Sequence, residues 1–320
     1  MTGLTRRSLG LALGAAAALG IAAGPAAAQD YPNQPITMII PLGAGGSHDL
    51  NARVITSVIP GIIGQPMVVQ LTPGAGGQTG TAAAAQEAAD GYTLLFTHNF
   101  IDQLQQFVTD LPYDPNEDFV SIARVNTAQP IMVVRDDSPF ETFEDLVTYA
   151  QENPGELQFG HSGNWGAFMV PGLALMQEAG FDARLVPYQG GGPVIQGLLA
   201  GDIDYTFAFP SVLEGQDDLR PLMVVGEDAI IEGLPTSSEL GYDVVSEIGI
   251  MHRSVLVHAD TPPERIEVLR EAFAELNEDE TFQTLMSRLG ENTLHVDGPE
   301  FDEMRRQQAR DYEELVAGFE

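Results

Sequence analysis

The chain has 320 residues, of which 44% are hydrophobic and 8% aromatic, enough for two cores at roughly 150 residues per domain and too apolar for a disordered chain. It carries 46 acidic against 14 basic residues, a formal net charge of -32, and such a surface repels nucleic acid and anionic lipid head groups. With no cysteine and no lysine, it can form no disulfide, thiol nucleophile, cysteine-based zinc or iron–sulfur site, or lysine-bearing phosphate loop.

Residues 1–28 read as an export signal. Arg6 and Arg7 open it, residues 9–23 are apolar and small, and Ala26-Ala27-Ala28 offers a cleavage site before Gln29. The apolar run, about 15 residues, is shorter than the roughly 20 that span a bilayer as a helix. Thr5-Arg6-Arg7-Ser8-Leu9 resembles in part a twin-arginine signal, although the residues that follow depart from that pattern. Nothing later in the chain is long and apolar enough to cross a membrane, so the mature protein is expected to be soluble outside the cytoplasm. Its acidic surface suits a high-salt habitat, where it stays solvated and where salt screens its repulsion of anions.

From residue 35 onward, short apolar runs alternate with helical stretches, the pattern of an α/β fold. Strands are expected at 36–40, 67–71 and 92–96, with helices at 49–59 and 78–89 between them. Residues 119–134 form a long extended segment broken at Pro130. A second series follows: helix 142–151, strand 157–159, a helix ending at 179, strand 184–187, a short helix ending at 200, and strands 205–209 and 221–225. The apolar run 248–257 crosses back, and helices at 262–277, 281–289 and 299–319 close the chain. Residues 29–128 plus 247–320 are therefore assigned to one lobe and 129–246 to a second. The lobes are joined by strands rather than by a flexible linker, which suits a hinge.

The strongest local signals are two Gly-rich loops, Gly43-Ala44-Gly45-Gly46-Ser47 and Pro73-Gly74-Ala75-Gly76-Gly77, each after a strand and before a helix. Glycine lets backbone N–H groups face inward, and the helix N-terminus adds partial positive charge, so an anion can be held without a basic side chain. Neither loop is a dinucleotide fingerprint: counted from Gly43 or Gly74, the sixth position is His48 or Thr79 rather than glycine. Glycines that serve only tight turns are the plain alternative.

The run Pro41-Leu42-Gly43-Ala44-Gly45-Gly46-Ser47-His48-Asp49-Leu50-Asn51-Ala52-Arg53 resembles the first ligand loop of Bug-type receptors, the periplasmic solute-binding proteins of tripartite tricarboxylate transporters. Further similarities follow in order: Pro73-Gly74-Ala75-Gly76-Gly77, Asp90-Gly91-Tyr92-Thr93-Leu94-Leu95, Tyr113-Asp114-Pro115, Val186-Pro187-Tyr188-Gln189-Gly190, Gly201-Asp202-Ile203-Asp204 and Thr261-Pro262-Pro263. The resemblance implies a type II periplasmic binding fold of two α/β lobes with a cleft between them. It also implies a receptor, not an enzyme, that takes a di- or tricarboxylate or other carboxylate and passes it to membrane subunits of a secondary transporter; a monomer is the default for such a hinge receptor. No metal or cofactor is implied. Positions matching the ligand loops are Gly43 to Asp49, Gly74 to Gly77, Ser162 to Trp165, with Asn164 among them, and Tyr188 to Gly190. Thr97, His98, His161 and Asp204 are added as candidates.

His161 stands where a second small hydroxyl residue is common in the family, and with His48 and His98 it places three of the six histidines on expected cleft loops. As imidazolium groups they would meet a multiply charged anion with pH-dependent affinity. They would alternatively bind a metal such as zinc, or be unrelated polar loop residues. Trp165, the only tryptophan, either stacks on a planar ligand or packs. Asp49 caps its helix or accepts a ligand hydroxyl or amine. A hydrolase built on Ser162 and His161 is disfavoured, because adjacent side chains seldom aim at one another and no Gly-x-Ser-x-Gly elbow is present. A sensing role beside a membrane protein would need the same fold. A cationic ligand would need several cleft acids, and only Asp49 and Asp204 qualify.

Overall fold

A computed structural model describes residues 31–213 and 215–317; the expected export signal, 1–28, lies outside them. Eleven strands are described: β1 Ile36–Ile40, β2 Met67–Leu71, β3 Thr93–His98, β4 Phe119–Ala128, β5 Ile131–Arg135, β6 Gln158–His161, β7 Arg184–Pro187, β8 Tyr205–Ala208, β9 Leu219–Val224, β10 Met251–His258 and β11 Val296–Asp297. They form a six-stranded sheet in the order β11-β4-β10-β3-β1-β2 and a five-stranded sheet in the order β7-β6-β8-β5-β9.

The two sheets are built to one plan. In the first, β2, β1 and β3 run parallel, and β10 lies antiparallel against β3 and β4. In the second, β7, β6 and β8 run parallel, and β5 lies antiparallel against β8 and β9. In each sheet, then, an antiparallel strand sits beside three parallel ones. The chain passes from the first sheet to the second through Gln129-Pro130, because proline cannot extend the strand ladder, and returns through Gly249-Ile250. These two crossings make a two-lobed α/β fold.

Strands buried on both faces explain the continuous apolar runs in the sequence. In β1, Ile36, Met38 and Ile40 face one core layer with Leu94, Phe96 and Phe273. Ile39 faces the other layer with Leu95 and Leu256. The second lobe has its own core around Val133, Phe159, Leu175 and Phe207, and Phe100, Leu104 and Tyr312 from first-lobe elements join it. The lobes are thus in apolar contact behind the cleft. Among the described residues no helix is long and apolar enough to cross a membrane.

Parallel strands followed by helices place their carboxyl ends, and the N-termini of those helices, along one edge of each sheet. Helices Ser47–Val58 and Gln78–Ala85 follow β1 and β2; Met169–Ala179 and Gly191–Ala200 follow β6 and β7. The first helix begins two residues earlier than its apolar periodicity indicates, because Gly46 supplies the extended N-cap and Ser47 is already helical. After β3 the chain makes a single π turn, Phe100–Leu104, and a 3-10 turn, Gln105–Phe107, neither of which carries a periodic signal. Arg305 anchors that segment from the last helix by bonding both carboxylate oxygens of buried Asp102, at 2.7 and 2.8 Å.

Candidate functional site

The loops after the parallel strands of the two lobes meet backbone to backbone. The Gly43 N–H donates to the Gln189 carbonyl across the cleft at 3.2 Å, and a Cβ on Gly43 would lie 2.6 Å from that oxygen. A Cβ on Gly192 would lie 2.5 Å from the Ala44 carbonyl, and one on Gly163 would lie 3.1 Å from the Gly76 Cα. The glycines therefore do more than turn the chain: they let the lobes close to a distance no side chain permits.

Closure encloses a cavity at the bottom of the cleft. Gly43, Gly46, Ser47, His48 and His98 line it from the first lobe. Ser162, Gly191, Phe168, Ile195, Ala208 and Phe209 line it from the second. No Asp, Glu, Lys or Arg is among its lining residues. Its interior is ≈ 20 Å³, the room of about one water, so a larger guest requires the lobes to part. Two helix N-termini reach this cavity, those of Ser47–Val58 and Gly191–Ala200. The first N–H groups of a helix have no partner within it, and the aligned peptide dipoles give each N-terminus about half a positive charge.

Beneath the first-lobe wall lies a buried polar network that sequence reasoning missed. Arg253, on β10, is fully buried and grips Glu291 through both terminal nitrogens, at 2.7 and 3.2 Å. The same nitrogens reach Asn126 Oδ1 at 3.1 Å and Ser47 Oγ at 2.8 Å. The guanidinium also lies 5.1 Å from the centre of the Phe209 ring, which belongs to the other lobe. Ser211, likewise of the second lobe, donates its hydroxyl to Glu291 Oε1. Arg253 was hidden in the apolar run 248–257. The cue available was the cation itself, since an arginine amid strand residues buried on both faces must have an ionic partner.

Ser47 Oγ accepts from Arg253, and its own proton is left for another acceptor. His48 and His98 lie ring to ring at 5.0 Å. His48 Nε2 is 3.3 Å from the Thr97 carbonyl, whereas the buried Nδ1 of His98 has no partner. Burial, followed by the Arg253 charge, lowers the His98 pKa to about 3. Burial also holds His48 well below the ordinary imidazole value, with His98 and Arg253 adding to the effect. Of the alternatives for these two histidines, the shifts favour neutral hydrogen-bonding groups over imidazolium, because burial next to a guanidinium disfavours a second positive charge.

His161 is buried, with Nδ1 3.0 Å from the Gly163 carbonyl, and burial lowers its pKa. Among the described residues no group of three or more His, Cys, Asp or Glu side chains is arranged to hold a metal. Ala75, Gly76, Asn164, Trp165, Tyr188 and Gln189 line a wider outer cavity of ≈ 530 Å³ rather than the inner one. Ala75 and Trp165 have left-handed backbone, φ 47° and 53°, a strained conformation for residues with a Cβ. Ala44 and Gly45 line a third cavity on the other side, with Gly192 and Ser211.

Of the remaining candidates, Gly74 packs against Thr79 and Gly77 against Ile101. Thr97 is buried with its carbonyl turned to His48. Asp49 accepts the Gly45 N–H at 2.9 Å and pairs with Arg53 at 2.9 Å, so it secures the start of its helix. The placement of Asp204 in the cleft is corrected. It precedes β8, and the cleft lies past the opposite, carboxyl ends of the parallel strands. Its carboxylate accepts the Gln158 N–H at 2.7 Å, and it lines a separate hollow with Arg135 and Tyr149.

Comparison with known proteins agrees with this architecture. Residues 51–316 match the model of the tripartite tricarboxylate transporter family receptor, TctC. Protein BugT of Bordetella pertussis is 34% identical over 233 residues, 71% of each chain. A UPF0065 protein in the gbd 5' region of Cupriavidus necator is 34% identical over 270 residues, covering 81% of this chain and 80% of its own. Among solved structures, one described as a periplasmic transporter superposes with a TM-score of 0.84 at 27% identity, covering 90% of this chain and 97% of the other. The periplasmic binding protein BugD shares the fold, with a TM-score of 0.85 at 24% identity over 90% of this chain and 98% of its own. The family match spans most of the chain, so this protein belongs to the tripartite tricarboxylate transporter receptor family.

Proposed function

We propose that this chain is a periplasmic solute receptor, working as a monomer, that captures a small organic anion by its carboxylate and delivers it to the membrane subunits of a tripartite tricarboxylate-type transporter. One observation carries this reading. A cavity between the lobes brings together two helix N-termini, Ser47 and His98, with no acidic side chain on its wall. Two half-charges suit one carboxylate, and the hydrogen bonds are charge-assisted. Because the ligand touches both lobes, it binds the closed state more tightly and shifts the population toward it, about the crossings at Gln129-Pro130 and Gly249-Ile250.

The match to a receptor family supports a site that binds its guest. His161 Nδ1 is engaged by the Gly163 carbonyl, and no base is hydrogen-bonded to Ser162 among the described residues, so the paired nucleophile and base of a hydrolase are not assembled. The test is a thermal-shift and calorimetric screen of the mature protein in high salt against small carboxylates, with amines and neutral solutes of matched size as controls. A rise of several degrees with carboxylates alone is expected. No rise with any acid, or a rise with amines, would overturn the reading.

A further inference from the structure

We propose that the ligand carries one carboxylate on a small apolar body, and that the second lobe's wall rejects acids with a second charge. The inference rests on the carboxylate reading above and narrows it. The polar side chains of the first lobe, Ser47, His48 and His98, gather on one side with Gly46, and the second lobe adds only the Ser162 hydroxyl and the helix N-terminus at Gly191. Opposite the first-lobe groups stand Phe168, Ile195, Ala208, Phe209 and Val212, with Met251 between. A ligand whose carboxylate meets the Ser47 helix N-terminus directs its far end toward these side chains.

No cationic side chain lines the cavity to compensate a second negative charge. The guanidinium nearest the cavity, Arg253, is already committed to both oxygens of Glu291, to Asn126 and to Ser47, and it lies under the wall rather than on it. The two imidazoles lining the cavity are held neutral by burial and lie tilted against one another, ring centres 5.0 Å apart. A second carboxylate would shed its water against two phenylalanine rings and aliphatic carbons with the Ser162 hydroxyl as the one side-chain donor on that wall, and burying a charge without an ionic partner is among the costliest steps a site can impose. An apolar end of the same length instead gains by leaving water. The fold does not impose this choice, since chains of the same fold were solved with adipate and with malate.

The experiment is isothermal titration of the mature protein at pH 7.5 in high salt with matched acids: butanoate against succinate, pentanoate against glutarate, and 3-methylbutanoate against malate. Each monocarboxylate is expected to bind at least tenfold more tightly than its dicarboxylate partner. If the dicarboxylates bind more tightly, the inference falls while the carboxylate reading stands; if no acid binds, both fall. A second variant works in the opposite direction. Val212 is half-buried where the inner and third cavities meet, so Val212→Arg would set a cation on the apolar wall with access to water. Its affinity for succinate is expected to rise at least tenfold over the wild type, and an unchanged preference in a variant that melts normally would overturn the proposal. Should that variant not fold, the wild-type pairs decide alone.

Discussion

The two lobes share a strand plan and differ in what they bring to the cleft. The first lobe contributes hydrogen-bonding groups, Ser47, His48 and His98, backed by a buried ion pair. The second contributes aromatic and aliphatic carbon, Phe168, Phe209 and Ile195, with one hydroxyl at Ser162. The same order, three parallel strands beside an antiparallel one, thus supports a polar wall in one lobe and a largely apolar wall in the other. The difference teaches that topology sets where a site lies, while the residues just past the strand ends set what it accepts. Glycine contacts between the loops let these unlike walls meet.

Breaking the polar wall should have the largest effect. Glu291→Leu strands the Arg253 charge in a buried site and is expected to cost about 3–5 kcal/mol in urea unfolding. Replacing both partners, Arg253→Met with Glu291→Leu, should recover much of that loss, because an apolar pair leaves no unpaired charge. A double variant as unstable as the single would show that the network acts by packing rather than by charge compensation.

Acid probes the same wall more gently. An unfolded histidine titrates near 6.5, whereas folded His98 is lowered to about 3 by burial and the Arg253 charge. Between those pH values the unfolded chain takes up a proton that the folded chain excludes. This contribution to stability is therefore complete above about pH 6.5 and is lost as pH falls, by about 2 kcal/mol at pH 5. His48 is shifted in the same direction, as is His252, lowered by its burial to about 4. Melting curves of the wild type and His98→Gln across pH 7.5–4.5 isolate the imidazole from the many surface carboxylates. The variant should lose less stability in acid, and parallel curves would contradict the assigned burial.

The seam between the walls gives a smaller effect of a different kind. Gly43 has no need of left-handed backbone, so Gly43→Ala strains nothing in an open form, yet its Cβ would press on the Gln189 carbonyl of the other lobe. Ligand affinity should fall about tenfold, ~1.4 kcal/mol, with the melting temperature of the free protein nearly unchanged. Unaltered affinity would mean that the ligand is held without full closure. The smallest effect is expected far from the cleft. Asp204→Ala removes an acceptor from the Gln158 N–H and should cost about 1 kcal/mol of stability while leaving ligand affinity unchanged. A fall in affinity would return Asp204 to the site.

Much of the fold was legible in sequence, because strands buried on both faces announce themselves as uninterrupted apolar runs. β1 lies in this way at the expected residues, 36–40, and the edge strands β2 and β7, though far less buried, also lie where expected, at 67–71 and 184–187. The segment 97–118 was not legible, since its π and 3-10 turns obey no hydrophobic period and are held by long-range bonds such as Arg305 to Asp102. The short helix Asp243–Ile248 was missed for a similar reason. Its first turn is secured from another helix by Glu178, which accepts the Val244 and Val245 N–H groups.

For the site, local chemistry carried the reading only part of the way. Glycines after strands and before helices suffice to mark anion-friendly loops, because backbone freedom and helix polarity are properties of a few consecutive residues. By itself the sequence therefore determined the two α/β series, the four loops and the absence of lysine and cysteine chemistry. Only the tertiary structure decided that burial keeps His48 and His98 neutral, that Arg253 is spent on Glu291, that Asp204 lies on the far edge and that the second wall is largely apolar. Each of these depends on burial and on partners tens to hundreds of residues away, and protonation and charge pairing follow surroundings in space rather than neighbours in the chain.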